Sequence, residues 1–332
     1  MTIRMTRASM ANARPRPWGG IQVPSSGIGA RRVDPRHPLD FFWIRNDTGR
    51  IGLMLRLLDG PPSLPFRVDL AGVDVAVRQD PVEGTSSLLL LLQDAADSDL
   101  FAALGSDLLD STAAVGDTTT GFAVVMRRLQ RWQALLSRPR HHRLAAAELQ
   151  GLFGELSVLD RVLMPWLGPQ ATVESWRGPL GEPQDFCTGS TAIEVKALLG
   201  TGRQEVHISS ADQLEASLQN LLLAVVTLSV ASEDTGASLP EIVLSLRTRF
   251  GEAGATPLEA FNDRLLAVGY ADLDEYHEHR FSVERFDWFR VEGAFPRIRP
   301  SAVPGGVSRV SYMLSLLACE SFRSTPPGAA VP

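Results

Sequence analysis

Cysteine is scarce in this chain. The 332 residues include only two cysteines, Cys187 and Cys319, which lie far apart and match no zinc-binding spacing. Small disulfide-stabilised domains and structural zinc sites both need several closely spaced cysteines. We therefore expect two reduced thiols in a cytoplasmic protein.

Long apolar runs are also missing. The longest candidate, residues 221–230, is much shorter than the ~20 apolar residues of a membrane helix. Arg4 and Arg7 are not followed by an apolar stretch, so a secretory signal is not supported. We interpret residues 221–230 as a core element and expect no membrane partner.

Lysine is almost absent, although arginine is abundant. Of the 32 basic residues, 31 are arginine and only Lys196 is a lysine. On a solvated surface the two residue types usually replace each other, so a bias toward arginine would remove every dispensable lysine. Lys196 either marks a position that needs a compact, adjustable ammonium group, or it survived by chance.

The net charge of -6 excludes a protein coated in positive charge, so nucleic-acid binding would depend on local patches. Residues 118–147 contain six arginines, among them Arg127, Arg128 and Arg131, and no acidic residue. This segment could bind phosphate groups, or it could be a solvated helix face docked on acidic neighbours. The sequence leaves both interpretations open.

The length suits one large or two ordinary domains, and the pattern along the chain predicts two ordered domains. A hydrophobic content of 44% is sufficient for packed cores. Residues 1–36 carry seven arginines and one acid without periodicity, which predicts a flexible basic tail. Residues 37–138 predict a smaller α+β domain, with a hairpin at 41–44 and 51–57, strands at 66–77 and 88–92, and helices at 100–109 and 121–136. The polar, proline-containing segment 138–142 is the expected linker.

Residues 139–325 predict a second domain. A long amphipathic helix is expected at 144–163, where Gly151 and Gly154 indicate close packing against a sheet. Strands are expected at 185–187, 192–197 and 206–209, and a helix at 212–220. The fold class is thus α/β (α+β), with a mixed sheet flanked by helices.

Three side chains in this second domain carry the chemistry. Strand alternation puts Glu194 and Lys196 on one face, and the tight hairpin returns Asp185 beside them. Two adjacent carboxylates repel each other unless a cation lies between them. Oxygen ligands with open positions suit Mg²⁺, and an adjacent lysine can orient or deprotonate a water molecule. The arrangement predicts phosphodiester hydrolysis.

The same residues resemble the PD-(D/E)xK nuclease superfamily, which has the restriction-endonuclease-like fold. Within it, the segments 151–156, 176–179, 193–196 and 213–214 are similar to a bacterial family known as PD-(D/E)XK motif proteins, which occurs in restriction-like defence gene clusters. The resemblance covers residues 140–320 well and 39–138 more loosely. One departure is that the proline, Pro183, precedes Asp185 by two positions instead of one.

The resemblance implies metal binding by Asp185 and Glu194, catalysis by Lys196, and a supporting acid from the first helix, Glu155. Glu148 is too far along that helix, about 10 Å, to share a metal with Glu155. Gln213 would contact substrate or cap its helix. The implied cofactor is Mg²⁺, with Mn²⁺ as a substitute.

The implied activity is that of an endonuclease acting on DNA in an anti-phage defence system. Its implied partners are DNA and other defence proteins, such as an ATPase, helicase or methyltransferase, and a homodimer is left open. Two alternatives remain: a nuclease acting on RNA, and a catalytically inactive scaffold that keeps the nuclease fold and binds DNA or a partner protein.

Overall fold

The computed structural model describes residues 16–57, 68–79, 84–137, 143–200, 202–215 and 218–328. Its contacts divide the chain into two units, Met1–His142 with Ala271–Asp274, and Arg143–Tyr270 with Glu275–Pro332. Each unit combines helices with sheets, which confirms the predicted α+β class. No helix among these residues is long and apolar enough to cross a membrane.

The first unit contains a five-stranded antiparallel sheet and two helices. The strands follow the order β1-β2-β3-β5-β4, and their bounds are β1 Ile28–Arg32, β2 Asp40–Asn46, β3 Ile51–Leu57, β4 Val73–Gln79 and β5 Ser86–Leu92. Helices α1 (Ser98–Thr112) and α2 (Thr118–Leu136) follow, as predicted. The predicted hairpin is present as β2 and β3, where the Asn46 side chain accepts a hydrogen bond from the Arg50 backbone at 2.8 Å.

One expectation for this unit needs correction. Strand β1 lies inside the segment 1–36, for which no regular structure was predicted, and it pairs along its whole length with β2. Its side chains lack an alternating apolar pattern, so the pairing comes from its neighbour and is not visible locally. Residues 1–15, the predicted linker at 138–142 and part of the predicted strand at 66–77 lie outside the described residues.

The second unit begins with a nearly continuous helical segment. Helix α3 (Ala146–Val158) passes through a π-helical turn, Leu159–Leu163, into α4 (Met164–Leu167), and α5 (Pro169–Ser175) follows. Gly168, at φ 75°, separates α4 from α5. The predicted helix at 144–163 is confirmed.

A mixed six-stranded sheet forms the centre of this unit. Its path is β10-β11-β9-β7-β6, and β13 also pairs with β11. Strands β7 and β9 are parallel, and the other pairs are antiparallel. The bounds are β6 Phe186–Thr188, β7 Thr191–Leu199, β9 Asn220–Val230, β10 Ala237–Ser238, β11 Arg280–Arg290 and β13 Arg323–Ser324.

Two further helices and a separate strand pair complete the unit. Helices α6 (Leu239–Ala253) and α7 (Ala255–Val268) precede β11. Strand β8 (Glu205–Ile208) pairs with β12 (Tyr312–Ser315) in a two-stranded antiparallel sheet. The strand predicted at 206–209 therefore exists, but its partner lies about a hundred residues later in the chain.

The helix predicted at 212–220 is wrong. The structure has a single 3-10 turn, Ala211–Leu214, and Asn220 already begins β9. The apolar run that starts at Leu221 pairs with β7 and is buried, which removes those residues from any helix. Residues 216 and 217 lie outside the described part of the chain.

Candidate active site

A tight hairpin builds the centre of the candidate site. Strand β6 pairs with β7 only from Phe186 opposite Ile193 to Thr188 opposite Thr191. Beyond Ile193, β7 continues without a strand partner on that side in the described structure. Side chains satisfy two of its backbone groups along this edge.

Asp185 binds to this open edge of β7. Its Oδ2 accepts a hydrogen bond from the Val195 backbone N–H at 2.7 Å. Further along the edge, the Gln150 side chain of α3 donates to the Ala197 carbonyl oxygen at 2.9 Å. The carboxyl group of Asp185 opens onto a cavity but is otherwise enclosed by protein, and this burial raises its pKa to about 6.

Glu194 lies next to it and is almost completely buried, with 1% of its surface exposed. The Lys196 ammonium forms an ion pair with it, and the Nζ lies 2.8 Å from Oε1. The other oxygen, Oε2, has no hydrogen-bond partner among the described residues. Burial, and then the negative charge of Asp185, raise the pKa of Glu194 well above its usual value. A buried carboxylate with one oxygen left without a partner is costly unless a further group binds it.

Glu155 reaches the same region from α3. The helix can approach β7 closely because Gly154 has no side chain, and a Cβ there would lie 2.7 Å from the Cβ of Ala197. The Trp176 indole N–H donates to Glu155 Oε2 at 3.1 Å. Burial and the charge of Asp185 raise the pKa of Glu155 to about 8.

Glu148, the other acid of this helix, has a different role. Its carboxylate accepts a hydrogen bond from the Ala145 backbone N–H at 2.8 Å and thus caps the start of α3. Glu155 is therefore the acid of this helix that faces the site.

Lys196 connects the carboxylates to the 3-10 turn. Its Nζ donates to Gln213 Oε1 at 3.1 Å. The same oxygen accepts hydrogen bonds from the Ser209 backbone N–H at 2.8 Å and from its hydroxyl at 2.9 Å. The ammonium group therefore lies between Glu194 and an amide oxygen that is itself fixed by two other donors.

These side chains surround a cavity of about 530 Å³. Its walls include the carboxyl groups of Glu155, Asp185 and Glu194. His207 lines the cavity from β8. Met313, its cross-strand neighbour on β12, also lines the cavity, and no local pattern pointed to it.

A family model described as "Putative PD-(D/E)XK family member, (DUF4420)" matches residues 15–317. The chain belongs to this family. No curated protein and no solved structure matches the chain. The match confirms the PD-(D/E)XK resemblance and covers both structural units, including the first, where the sequence resemblance was looser.

The residues of this PD-(D/E)XK site fit a hard divalent cation. The donors are carboxylate oxygens; Glu194 Oε2 has no partner among the described residues, while Oε1 is paired with the Lys196 ammonium. Within the described residues, however, no three His, Cys, Asp or Glu side chains already stand as ligands around one point. Mg²⁺ is commonly held by one or two carboxylates together with waters and substrate phosphates, which such a site permits. The fit therefore favours Asp185 and Glu194 as ligands, while the Glu155 carboxyl group is held by Trp176.

The predicted arginine patch is only partly available. Arg128 is buried and forms a two-point ion pair with Asp107, to which Trp132 also donates at 2.7 Å. This corrects the prediction that Arg128 contacts substrate, because its guanidinium is already used inside the first unit. Arg127 is exposed, and Arg131 has an interaction partner in the structure.

Two glutamines that support the site were also missed by sequence reasoning. Gln150 satisfies the β7 edge, and Gln184, directly before Asp185, is buried and donates to three backbone carbonyls. Neither glutamine has a local signature, because both partners are distant in sequence. The nearest available signal was the position of Gln184 where the family motif has proline.

Proposed function

We propose that this protein is a divalent-metal-dependent nuclease that hydrolyses phosphodiester bonds in DNA. One observation carries the proposal: the Glu194 carboxylate is buried beside Asp185, its Oε2 has no hydrogen-bond partner among the described residues, and its Oε1 lies 2.8 Å from the ammonium group of the only lysine of the chain. A cation at this position would compensate both carboxylates and leave the ammonium group free to act on substrate.

Asp185 and Glu194 would hold the cation, Mg²⁺ with Mn²⁺ as a substitute, together with water molecules. When bound, such a cation lowers the pKa of a water and offsets charge on a phosphoryl oxygen. Lys196 would orient the attacking water or donate to the phosphoryl oxygen that gains charge. Glu155 would keep the local charge balance, held in place by Trp176.

The biological setting we propose is an endonuclease of a bacterial restriction-like defence system in the cytoplasm. The sequence resemblance to proteins of restriction-like defence gene clusters supports this setting, and family membership supports the nuclease-like fold. Its partners would be DNA and other proteins of the system, such as an ATPase, a helicase or a methyltransferase.

The test is cleavage of matched substrates. Supercoiled plasmid, linear duplex DNA and an RNA of the same sequence are incubated with purified protein and Mg²⁺, Mn²⁺, Ca²⁺ or EDTA. An endonuclease nicks the plasmid with Mg²⁺ or Mn²⁺ and loses this activity in Asp185→Asn and Glu194→Gln. Glu148→Gln is the matched control, because Glu148 lies on α3 like Glu155 but only caps the start of this helix. Cleavage of RNA alone would contradict the proposed substrate.

A second candidate is a non-catalytic scaffold that binds DNA or a partner protein. It is favoured by the absence of three preassembled ligands among the described residues. Thermal unfolding separates the two candidates. A cation at about a hundred times its Kd should stabilise a metal site by ~2.7 kcal/mol, and Asp185→Asn should abolish the effect. A scaffold without a metal site would show no such stabilisation.

A further inference from the structure

The 3-10 turn Ala211–Leu214 is held in place by a side chain from another part of the chain. The Gln184 side-chain nitrogen donates to the backbone carbonyls of Asp212 at 2.7 Å, Glu215 at 2.9 Å and Gln213 at 3.3 Å. An isolated 3-10 turn has poor hydrogen-bond geometry and little stability of its own. The position of this turn therefore depends on contacts such as these.

A second side chain holds the same turn from a different element. The Arg297 guanidinium donates to the Leu214 carbonyl and forms an ion pair with Glu215 at 3.4 Å. Arg297 follows β11 and is distant in sequence from Gln184. Two independent contacts thus converge on one short turn.

Gln184 occupies a special place in the sequence. It is 6% exposed and directly precedes Asp185, at the position where the PD motif has proline. Proline has no side-chain donor, so it could not hold the turn. In this chain Pro183 lies one residue earlier than the proline of the motif, and the buried Gln184 amide directly precedes Asp185.

The held turn carries Gln213, and Gln213 binds Lys196. Three donors share Gln213 Oε1: the Lys196 ammonium at 3.1 Å, and the backbone N–H and hydroxyl of Ser209 at 2.8 and 2.9 Å. A lysine has four rotatable side-chain bonds and is not held by its own backbone. The ammonium group is paired with Glu194 at 2.8 Å on one side, and the fixed acceptor on the turn adds a second restraint on where it can lie.

We propose that Gln184 is a positioning residue for Lys196, and that it acts through the turn Ala211–Leu214 and Gln213. Hydrogen bonds through the turn thus link Gln184, which precedes Asp185, to the Lys196 ammonium group on β7. Its consequence for cleavage rests on the proposed nuclease function, but the constraint on Lys196 does not.

The chain offers a direct probe, because it has a single lysine. Labelling with [¹⁵N]lysine at the side-chain nitrogen gives one ammonium resonance, whose relaxation reports the mobility of Lys196 in metal-free protein. We expect a restricted ammonium in the wild type and a measurably more mobile one in Gln184→Met, which keeps side-chain bulk and the Glu194 ion pair but removes the donor to the turn. Arg297→Met should have the same effect from the other side of the turn. Gln93→Met, which removes a surface amide in the first unit, is the control and should change nothing.

An unchanged resonance in both turn variants would overturn the proposal. A change in Gln184→Met alone would also overturn it, because the effect would then come through Asp185 and not through the turn. If Gln184→Met does not fold, Arg297→Met decides: a more mobile Lys196 ammonium group supports the proposal, and an unchanged resonance overturns it.

Cleavage kinetics provide the second measurement. In the two turn variants, kcat should fall ~10-fold or more, as expected when a reacting group is misplaced by a fraction of an ångström. The metal-induced rise in melting temperature should stay within about twofold of the wild-type rise, because both carboxylates remain. Should the protein cut nothing, the resonance still tests the constraint on Lys196 and separates this inference from the nuclease proposal.

Discussion

The approach of α3 to β7 can be tested with two glycines in the same helix. A Cβ added at Gly154 would lie 2.7 Å from the Cβ of Ala197, closer than such atoms approach in proteins. A Cβ added at Gly151, nearly one turn earlier, would meet nothing within 4 Å. Gly151→Ala and Gly154→Ala therefore make the same chemical change in the same helix, with contact at only one position.

The expected free energies of unfolding follow from two opposing effects. Replacing a helical glycine with alanine stabilises by ~0.5–1 kcal/mol, and both variants share this gain. Overpacking at Gly154 costs ~1–3 kcal/mol, because the obstructing Ala197 Cβ is attached directly to the strand and cannot rotate away. Gly151→Ala should thus be more stable than the wild type, and Gly154→Ala less stable than Gly151→Ala by ~1–3 kcal/mol.

The assay is urea unfolding, combined with hydrogen exchange of peptides from α3, so that the second unit is followed separately from the first. The double variant Gly154→Ala/Ala197→Gly removes the contact and should recover part of the loss, giving a favourable coupling energy in a double-mutant cycle. Equal stabilities of the two alanine variants would refute the close approach.

Three further predictions concern charge. Lys196→Arg should fold and bind DNA, but its cleavage rate should fall ~10²-fold or more, because arginine stays protonated and is bulkier. Cleavage assays of the Arg, Ala and Gln variants separate proton transfer from charge. Wild-type rates in all three variants would show that Lys196 takes no part in cleavage. The pKa values of Asp185 and Glu155, about 6 and 8, exceed their ordinary 3.8 and 4.5, so the folded state binds their protons more tightly. The stability that these two protonated groups give to the folded protein is fully present below their ordinary pKa values. It is lost as pH rises through about 6 to 8. The melting temperature of metal-free protein should therefore fall from pH 5 to pH 8, Mg²⁺ should restore more at pH 8, and a flat profile would contradict the raised pKa values. Reversing Arg127 and Arg131 to glutamate should weaken DNA binding without sequence preference and lower the salt slope by ~0.9 per lost phosphate contact; unchanged binding would remove the patch from the DNA surface.

The central hairpin was predictable from the sequence because its determinants are local. Strand alternation places Glu194 and Lys196 together, and a two-residue turn at Gly189 and Ser190 returns the chain past Asp185. The near absence of lysine was an independent reason to predict Lys196 as a site residue. These features depend on neighbours within about ten residues.

The errors arose where a distant partner decides the local structure. The turn Ala211–Leu214 is fixed by Gln184 and Arg297, neither of which is near it in sequence. Arg128 looks like a surface arginine until Asp107, on the preceding helix, is placed against it. The cross-strand partner of β8 likewise lies far along the chain. The predicted domain boundaries and the roles of the site residues stay predictions.

The open edge of β7 has a consequence for how inactive variants behave in solution. The Asp185 carboxylate occupies the Val195 N–H, and Gln150 occupies the Ala197 carbonyl, so these two groups of the edge are not open to a strand of another molecule. Asp185→Ala would expose that N–H and favour edge-to-edge association at high concentration, whether or not the protein is a nuclease. Asp185→Asn keeps an acceptor oxygen on the edge and should remain monodisperse in light scattering where the alanine variant aggregates.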